Sequence, residues 1–301
     1  MRPASEVAGR SATQAPRQGA GEQGDEGSRR HLAPRRRAGN SLLLAPHAEW
    51  TKLRTVPGTG WLLAGIVAAT VAVSVLALAA TRCPAGVACP ADTARLSLTG
   101  VQAGQAVVAV LAVLAVSSEY STGMIRVTLA AMPRRAELLA AKAAVVTGLV
   151  LAAGTAAVAG CLLAGRLLLP GHGFTAARGF PLLSLGDGAV LRAFAGSVLY
   201  LGLIGLLSVG LSVLIRDPGA AIGTVLGLLY LAPIVAAVLG ASPVWQHRVE
   251  RYAPAMAGLV IQDTTGLHGL PVGPWGGLGV LAAWAGAALL AGGLALRWRD
   301  A

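Results

Sequence analysis

The stretch LRAFAGSVLYLGLIGLLSVGLSVLI, residues Leu191–Ile215, determines the fold class. It contains one charged residue, Arg192, near its start, and otherwise only apolar, small or hydroxyl-bearing side chains. As an α-helix it would be about 38 Å long at about 1.5 Å per residue, whereas the hydrocarbon core of a bilayer is about 30 Å thick. The stretch therefore predicts a helix that spans a membrane.

Five further segments share this character. The 301-residue chain is 55% hydrophobic and 12% charged, and soluble domains carry about twice that charged fraction. The sequence therefore predicts an all-α polytopic membrane protein, with a kink expected at Pro233 in the fifth span. The six predicted spans lie near Trp61–Ala80, Leu98–Val116, Lys142–Gly165, Leu191–Ile215, Ala220–Gly240 and Trp275–Leu296.

The first 40 residues differ from the rest of the chain. They are rich in Gly, Ser, Gln, Pro and Arg and have few large apolar side chains, so they cannot bury enough surface to offset the entropy of ordering. We expect a disordered basic tail over residues 1–40 and a six-helix domain over residues 41–301. Ahead of the first span, Trp50 and Leu53 share a helical face, which fits either a short interfacial helix or an ordinary basic flank.

The excess of positive charge indicates membrane topology rather than nucleic-acid binding. The formal net charge is +11, and ten of the 24 basic residues precede residue 60. No aromatic side chains are interleaved with them to stack on bases. With both termini in the cytoplasm, 17 basic residues fall on the inner side and 7 on the outer side, in line with the positive-inside rule. We expect a multi-pass membrane protein that contacts anionic lipid and no nucleic acid. Because only two of the 24 basic residues are lysine and 40 residues are glycine, the composition suggests a high-GC bacterial genome, and the membrane we expect is the bacterial plasma membrane.

The connection between the second and third spans, EYSTGMIRVTLAAMPRR (Glu119–Arg135), has a helical pattern. Glu119, Thr122 and Arg126 fall on one narrow stripe, and apolar side chains fill the rest of the surface, as in a helix that lies beneath a membrane bundle. Pro133 ends the pattern, because the residue before proline disfavours the α region. Two interpretations stay open: a helix that shows its stripe to a cytosolic partner, or a positive-inside anchor with no partner.

Several chemistries are absent from the sequence. A phosphate-binding P-loop needs Lys after Gly, whereas Lys52 follows Thr51 and Lys142 follows Ala141, so the chain is not a P-loop ATPase. The predicted spans carry no Asp or Glu at mid-depth, which disfavours an ion-coupled carrier. No HExxH pattern or other metal-ligand spacing occurs. We expect no catalytic residue, no metal site and no cofactor on this chain.

Cysteine and glycine spacing adds two smaller predictions. Cys83 and Cys89 bracket PAGVA in the first predicted outer loop, where the oxidising side of a membrane permits a disulfide. In the fifth span, Gly219, Gly223 and Gly227 form a GxxxGxxxG row. Such a row allows another helix to approach closely, in this chain or in a second copy.

The polar residues of the spans are few. Gln102 and Gln105 are the main ones, and we expect them to hydrogen-bond to a neighbouring helix. The sequence of the spans shows no convergent polar cluster, and the predicted outer loops near residues 166–190 and 241–274 hold few charges. The substrate class is therefore left open by the pattern.

Several segments resemble permeases of the ABC-2 type, the membrane subunits of actinobacterial ATP-binding-cassette transporters. HAEWTKLRTV (residues 47–56) is similar to the segment with which these permeases begin. SSEYSTGMIRVTLAAMPRRAELLAAK (residues 117–142) is similar to their loop between spans two and three, of the form E-Y/F-x-x-G-x-x-R-x-x-L-x-x-x-P-R-R followed by Lys. The resemblance covers about residues 48–301, with a departure at PGTGW (residues 57–61). The matching positions in the loop are Glu119, Tyr120, Gly123, Arg126, Leu129, Pro133, Arg134, Arg135 and Lys142.

The resemblance implies an elbow helix and a coupling helix in addition to the six spans. The elbow helix would cover residues 42–54 and the coupling helix about residues 117–132. Two permease subunits, identical or related, would pair with two cytosolic ATPase chains that bind ATP and magnesium, and the complex would act as an exporter. The elbow residues would be Glu49, Trp50, Lys52, Leu53 and Arg54. Contact with the ATPase would fall to Glu119, Tyr120, Thr122, Gly123, Arg126, Pro133, Arg134, Arg135 and Lys142, the last three also reaching anionic headgroups.

Two other functions remain as alternatives. The chain could be a membrane anchor or sensor that recruits a cytosolic protein without transporting anything, or, less in keeping with its composition, an ion-coupled secondary carrier. A neighbouring reading frame with GxxxxGK[ST] would favour the exporter, since that motif supplies the missing phosphate-binding loop.

Overall fold

A computed structural model describes residues 57–84, 89, 91–121, 135–180, 182–238 and 243–299 of the chain. This part of the chain contains α-helices and short 3₁₀ turns and no strand. The predicted tail over residues 1–40 and the predicted elbow residues lie outside the described residues. The helices are α1 (Pro57–Ala80), α2 (Thr93–Ser97), α3 (Val101–Ser121), α4 (Arg135–Leu168), α5 (Gly188–Ile215), α6 (Pro218–Val238), α7 (Pro243–Tyr252), α8 (Pro254–Leu259) and α9 (Pro274–Arg299).

Six of these helices, α1, α3, α4, α5, α6 and α9, are long and apolar enough to cross a membrane. The predicted fold class, an all-α polytopic membrane protein with six spans, is confirmed. Several helix ends extend beyond the predicted spans: α4 starts seven residues before Lys142, and α3 continues five residues past Val116, although α3 starts three residues after the predicted Leu98. α6 runs through Pro233 without a break.

Helix α5 is the centre of the bundle. It packs against α3, α4, α6 and α9, while α1 lies on the side of α3 and α4. In the most apolar 18-residue window of α5, 61% of the residues are buried, against 17% for α6. Since lipid tails are as apolar as leucine, close packing rather than hydrophobicity holds such helices together.

Glycine allows close approach at two helix crossings. A Cβ atom added at Gly210 in α5 would lie 2.5 Å from the backbone carbon of Ala288 in α9, and one added at Gly292 would lie 2.8 Å from the Gly210 oxygen. Just before α3, a Cβ added at Gly100 would lie 1.8 Å from the Thr70 oxygen of α1. At both crossings a larger residue would force the helix backbones apart.

The connections divide between the two ends of the bundle. Residues 81–100, 169–187 and 239–273 join successive long helices at one end, which also holds the disulfide between Cys83 and Cys89. We call this end the disulfide end. At the opposite end α5 and α6 are joined by Arg216 and Asp217 alone, and Arg216 adopts a left-handed conformation with φ of 66° that ends α5. Ser121 and Arg135, which flank the resemblance-carrying loop, also belong to the opposite end.

Candidate binding cavity at the disulfide end

The first two connections at the disulfide end are fastened to each other. The Cys83 amide donates to the His172 carbonyl at 2.9 Å. One guanidinium nitrogen of Arg178 donates to the carbonyl of Cys83 at 2.9 Å and reaches that of Pro84 at 3.3 Å. The Cys83–Cys89 disulfide closes the loop that supplies these carbonyls. The two cysteines therefore lie in a connection, the one that follows α1, that hydrogen bonds fasten to the connection that follows α4.

Asp92 joins the first connection to the third. Its carboxylate caps α2 by accepting from the Arg95 amide at 3.0 Å, and it accepts from the Thr264 amide at 2.5 Å, the Thr264 hydroxyl at 2.7 Å and the Thr265 amide at 3.0 Å. Burial alone would raise the pKa of Asp92, but these hydrogen bonds favour the carboxylate and lower its pKa below the ordinary value. The deprotonated form thus holds residues 264 and 265 against α2.

Asp263 lies beside this junction. Its side chain is 5% exposed and accepts from Arg95 at 2.6 Å, whereas the Arg95 side chain is 61% exposed. Arg192 of α5 donates to the backbone oxygen of Asp263 at 2.6 Å. Burial raises the pKa of Asp263 above its ordinary value, and the positive charges of Arg95 and Arg192 offset this shift only in part.

A cavity of about 350 Å³ opens next to this cluster, among α3, α6, α7, α8 and the segment that follows α8. This volume lies at the lower end of the range for small-molecule pockets. Apolar side chains form much of the wall, including Leu229, Met256, Leu259 and Leu270. The polar lining residues are Arg95, Gln102, Gln105, Tyr230, Glu250 and Asp263.

The polar residues deepest in the cavity belong to the helix bundle. Gln105, which is 2% exposed, accepts a hydrogen bond from the hydroxyl of Tyr200 in α5. The Tyr230 hydroxyl of α6 donates to the Gln102 carbonyl of α3. Gln102 and Gln105 were predicted to hydrogen-bond to a neighbouring helix, and this is confirmed for the side chain of Gln105. These bonds fix the floor of the cavity.

The charges around the cavity do not cancel. The guanidinium of Arg95 is engaged by Asp263, so this pair is neutral. Glu250, in α7, is half-buried and has no ion-pair partner among the described residues. The three charged residues that line the cavity, Arg95, Glu250 and Asp263, therefore sum to one negative charge. Within the described part of the chain no group of three or more His, Cys, Asp or Glu residues is arranged to hold a metal ion.

The loop residues predicted to contact an ATPase are only partly covered by the structure. Glu119 and Tyr120 lie in the last turn of α3, and Arg135 is the first residue of α4. Lys142 lies about two turns further on and is 6% exposed, and its contact with lipid headgroups stays a prediction. Thr122, Gly123, Arg126, Pro133 and Arg134 lie outside the described residues, as do the elbow residues Glu49, Trp50, Lys52, Leu53 and Arg54.

The glycine row of α6 makes no close helix contact in the described part of the chain. A Cβ added at Gly223 or Gly227 would meet nothing within 4 Å, and one at Gly219 would meet only the Asp217 side chain, at 3.4 Å. A packing role within the chain is therefore not seen, and a role against a second copy stays a prediction.

Apart from Gln102 and Gln105, sequence reasoning did not single out the residues that line the cavity. Arg95, Glu250 and Asp263 stand in predicted outer loops, far apart along the chain. The sequence did offer one signal: the predicted outer loops hold few charged residues, and each of the few is therefore a candidate for a specific role.

The comparison with known proteins identifies no relatives. No protein-family model matches the chain, and no curated protein is significantly similar to it.

Proposed function

We propose that the chain is the membrane-spanning permease subunit of an ATP-driven transporter of the ABC-2 type, acting as an exporter with a separate ATPase chain. The observation that carries the proposal is the position of the resemblance within the fold. The motif that begins at Glu119 and ends at Lys142 starts in the last turn of one long helix and ends in the second turn of the next. Its middle part therefore connects two spans at the opposite end from the disulfide.

The disulfide supports the orientation that this function needs. Disulfides persist on the oxidising side of a membrane and are rare in the cytosol. If Cys83–Cys89 faces outward, then Ser121 and Arg135 face the cytosol, where an ATPase would be found. The same orientation follows from the excess of basic residues in the N-terminal tail. Two independent arguments thus support a topology in which both termini lie in the cytoplasm.

The sidedness can be tested with one thiol. The chain has three cysteines: two form the disulfide and the third, Cys161, is buried. A Thr122→Cys variant therefore adds the one readily accessible thiol. A membrane-impermeant maleimide should label it in inside-out vesicles and not in intact cells. Labelling from outside the cell would overturn the proposed orientation and, with it, the ATPase contact.

The coupling itself can be tested with a charge reversal. The chain is co-purified with the product of a neighbouring reading frame that carries GxxxxGK[ST], and ATP hydrolysis is measured in lipid nanodiscs. Arg126→Glu should reduce the stimulation of ATP hydrolysis about tenfold or more, while the protein still inserts into the membrane. The matched control is Arg82→Glu, which reverses an exposed charge at the disulfide end and should leave stimulation unchanged.

Two results would count against the permease. Full stimulation by Arg126→Glu would show that the motif does not touch the ATPase. Stable co-purification with no effect on hydrolysis would favour the anchor or sensor instead, because such a protein recruits its partner without taking energy from it.

A further inference from the structure

We propose that the cavity at the disulfide end binds an organic cation with an apolar body, and that Glu250 is its counter-charge. This site goes beyond the proposed function, because binding in the cavity requires neither an ATPase nor a transport cycle. The inference rests on the charge balance of the lining, on the apolar wall and on the position of α7.

The charge balance selects a cation over an anion. Glu250 is half-buried, and a carboxylate partly removed from water gains from a nearby positive charge. The other two charged lining residues, Arg95 and Asp263, already neutralise each other at 2.6 Å. An anion at Arg95 would have to share the guanidinium with Asp263 or exchange places with it, and either weakens the ion pair that neutralises a carboxylate only 5% exposed, which is costly. A cation needs no such exchange.

The wall favours a ligand with an apolar or aromatic body. Met256 and Leu259 of α8 and Leu229 of α6 line the cavity, and methionine adapts to ligands of different shape. Tyr230 adds an aromatic ring, which attracts cations through its face. A volume of about 350 Å³ suits a compact ligand and is small for lipids or peptides.

The helix that carries Glu250 is held in place. The indole nitrogen of Trp284 in α9 donates to the Tyr252 carbonyl, at the end of α7, at 3.1 Å. α7 also packs against α6 and α8, which form two walls of the cavity. The Arg95 side chain, largely exposed, belongs to the lining too, so the cavity reaches the protein surface and a ligand can enter from the disulfide end.

The test uses a fluorescent cation and its neutral analogue. The full chain is placed in nanodiscs of zwitterionic phosphatidylcholine at pH 8, and empty nanodiscs provide the background. The cation is 4-(4-(dimethylamino)styryl)-N-methylpyridinium, and the neutral analogue is the same dye without the N-methyl group. The wild-type protein should bind the cation saturably, measured by fluorescence anisotropy.

Glu250→Gln should weaken binding of the cation by about tenfold or more and leave binding of the neutral dye unchanged. Glu250→Asp, which keeps the charge, should retain binding within about threefold. The matched control is Asp187→Asn, which removes an exposed carboxylate at the same end, outside the cavity, and keeps the side-chain oxygen that caps α5. It should bind the cation as the wild type does.

A second variant tests the place rather than the charge. Met256→Trp puts a larger side chain into the cavity from a half-buried position and should abolish binding of both dyes, with the thermal unfolding midpoint confirming that the variant is folded. The proposal is overturned if Glu250→Gln binds the cation as tightly as the wild type, or if Met256→Trp still binds it. It is also overturned if the sulfonate dye 8-anilinonaphthalene-1-sulfonate binds saturably and loses affinity in Arg95→Gln while the cation does not bind. None of these results depends on ATP hydrolysis, so the cation site and the permease function fail separately.

Discussion

Helices α5 and α6 are neighbours with similar sequences and opposite surroundings. Both are apolar, both contain several glycines, and only two residues separate them. In α5 the glycines after the first turn face other parts of the chain: an added Cβ would lie 2.0 Å from Ile261 at Gly196 and 2.5 Å from the Ala288 backbone at Gly210. In α6 an added Cβ at Gly223 or Gly227 would meet no atom within 4 Å.

The difference shows what glycine spacing does and does not determine. The GxxxGxxxG row lies in α6, where no described helix approaches it, whereas the close crossing at Gly210 belongs to no such row. A small residue permits close packing but does not create a partner. Whether a glycine is packed depends on which face of its helix is covered, and this is a property of the whole bundle.

The largest expected effect on stability comes from glycine-to-alanine substitution, which tests the difference between α5 and α6 directly. Gly210→Ala places a methyl group against the α9 backbone, which has no side-chain freedom to yield, and we expect a loss of stability of about 3 kcal/mol. Gly223→Ala adds a methyl group where there is space and should be neutral or stabilising by up to about 1 kcal/mol, because alanine favours the helix. Thermal unfolding of the two variants in detergent micelles measures both effects.

The result for the α6 variant, Gly223→Ala, depends on whether the detergent keeps the protein monomeric or preserves a dimer. If Gly223→Ala destabilises the protein only in a dimer-preserving detergent or bilayer, then the α6 glycine row is covered by a second copy of the chain. If it costs as much as Gly210→Ala in a monomeric preparation, the contrast between the two helices is wrong.

A second, intermediate effect uses one tyrosine from each helix. Tyr200 of α5 is fully buried and donates to Gln105, which is 2% exposed, whereas Tyr230 of α6 is less buried and donates to the Gln102 carbonyl. Tyr200→Phe leaves a buried amide oxygen without its donor and should cost about 1–2 kcal/mol. Tyr230→Phe should cost about 0.5 kcal/mol or less, since water can replace the lost donor near the cavity.

The same unfolding measurement compares the two tyrosine variants. Equal losses for both would indicate that the environment of α6 is as closed as that of α5. Tyr200→Phe has a further use as a reference for the cavity, because it alters the floor without changing any charge.

The sequence predicted those features that depend on local pattern. Six spans follow from runs of apolar residues, and the cysteines at positions 83 and 89 are close enough in the chain to suggest their own pairing. Helix ends were less accurate: α4 begins at Arg135 rather than Lys142, because hydropathy detects the part that fits the hydrocarbon and not the polar turns that continue the helix. The helices α7 and α8 were missed, since each is too short to register as a membrane span.

The cavity could not be predicted in the same way. Its lining runs from Arg95 to Pro271, and these residues meet only after the third connection folds back against α2 and α3. Gln102 and Gln105 had a recognisable polarity, but nothing in a single sequence indicates that Tyr230 and Glu250 lie near them. Convergence of distant residues is a result of packing, and packing is what composition leaves undetermined.

The smallest expected effect is a pH-dependent loss of stability. It concerns the attachment of residues 264 and 265, in the connection that follows α6, to Asp92. The segment that follows α6 is fastened at Thr264 and Thr265 by the Asp92 carboxylate, whereas α5 is held by packing along its length. Burial alone would raise the pKa of Asp92, but the hydrogen bonds to its carboxylate outweigh this effect, so the pKa is lowered in the folded state. Its contribution to stability is therefore present above about pH 4 and is lost as the pH falls through the folded-state pKa.

Asp92→Asn should accordingly lower the unfolding midpoint at pH 7 by an amount equivalent to about 1 kcal/mol, and the difference from wild type should shrink as the pH approaches 3. Asp263 has the opposite shift, since burial raises its pKa, so its contribution is present below the unfolded-state pKa and is lost as the pH rises through the folded-state value. For Asp263→Asn the difference from wild type should therefore not shrink on acidification. If both variants lose their effect together at low pH, the two carboxylates act as one unit, and the segment beyond α6 is held by the cluster as a whole rather than by Asp92.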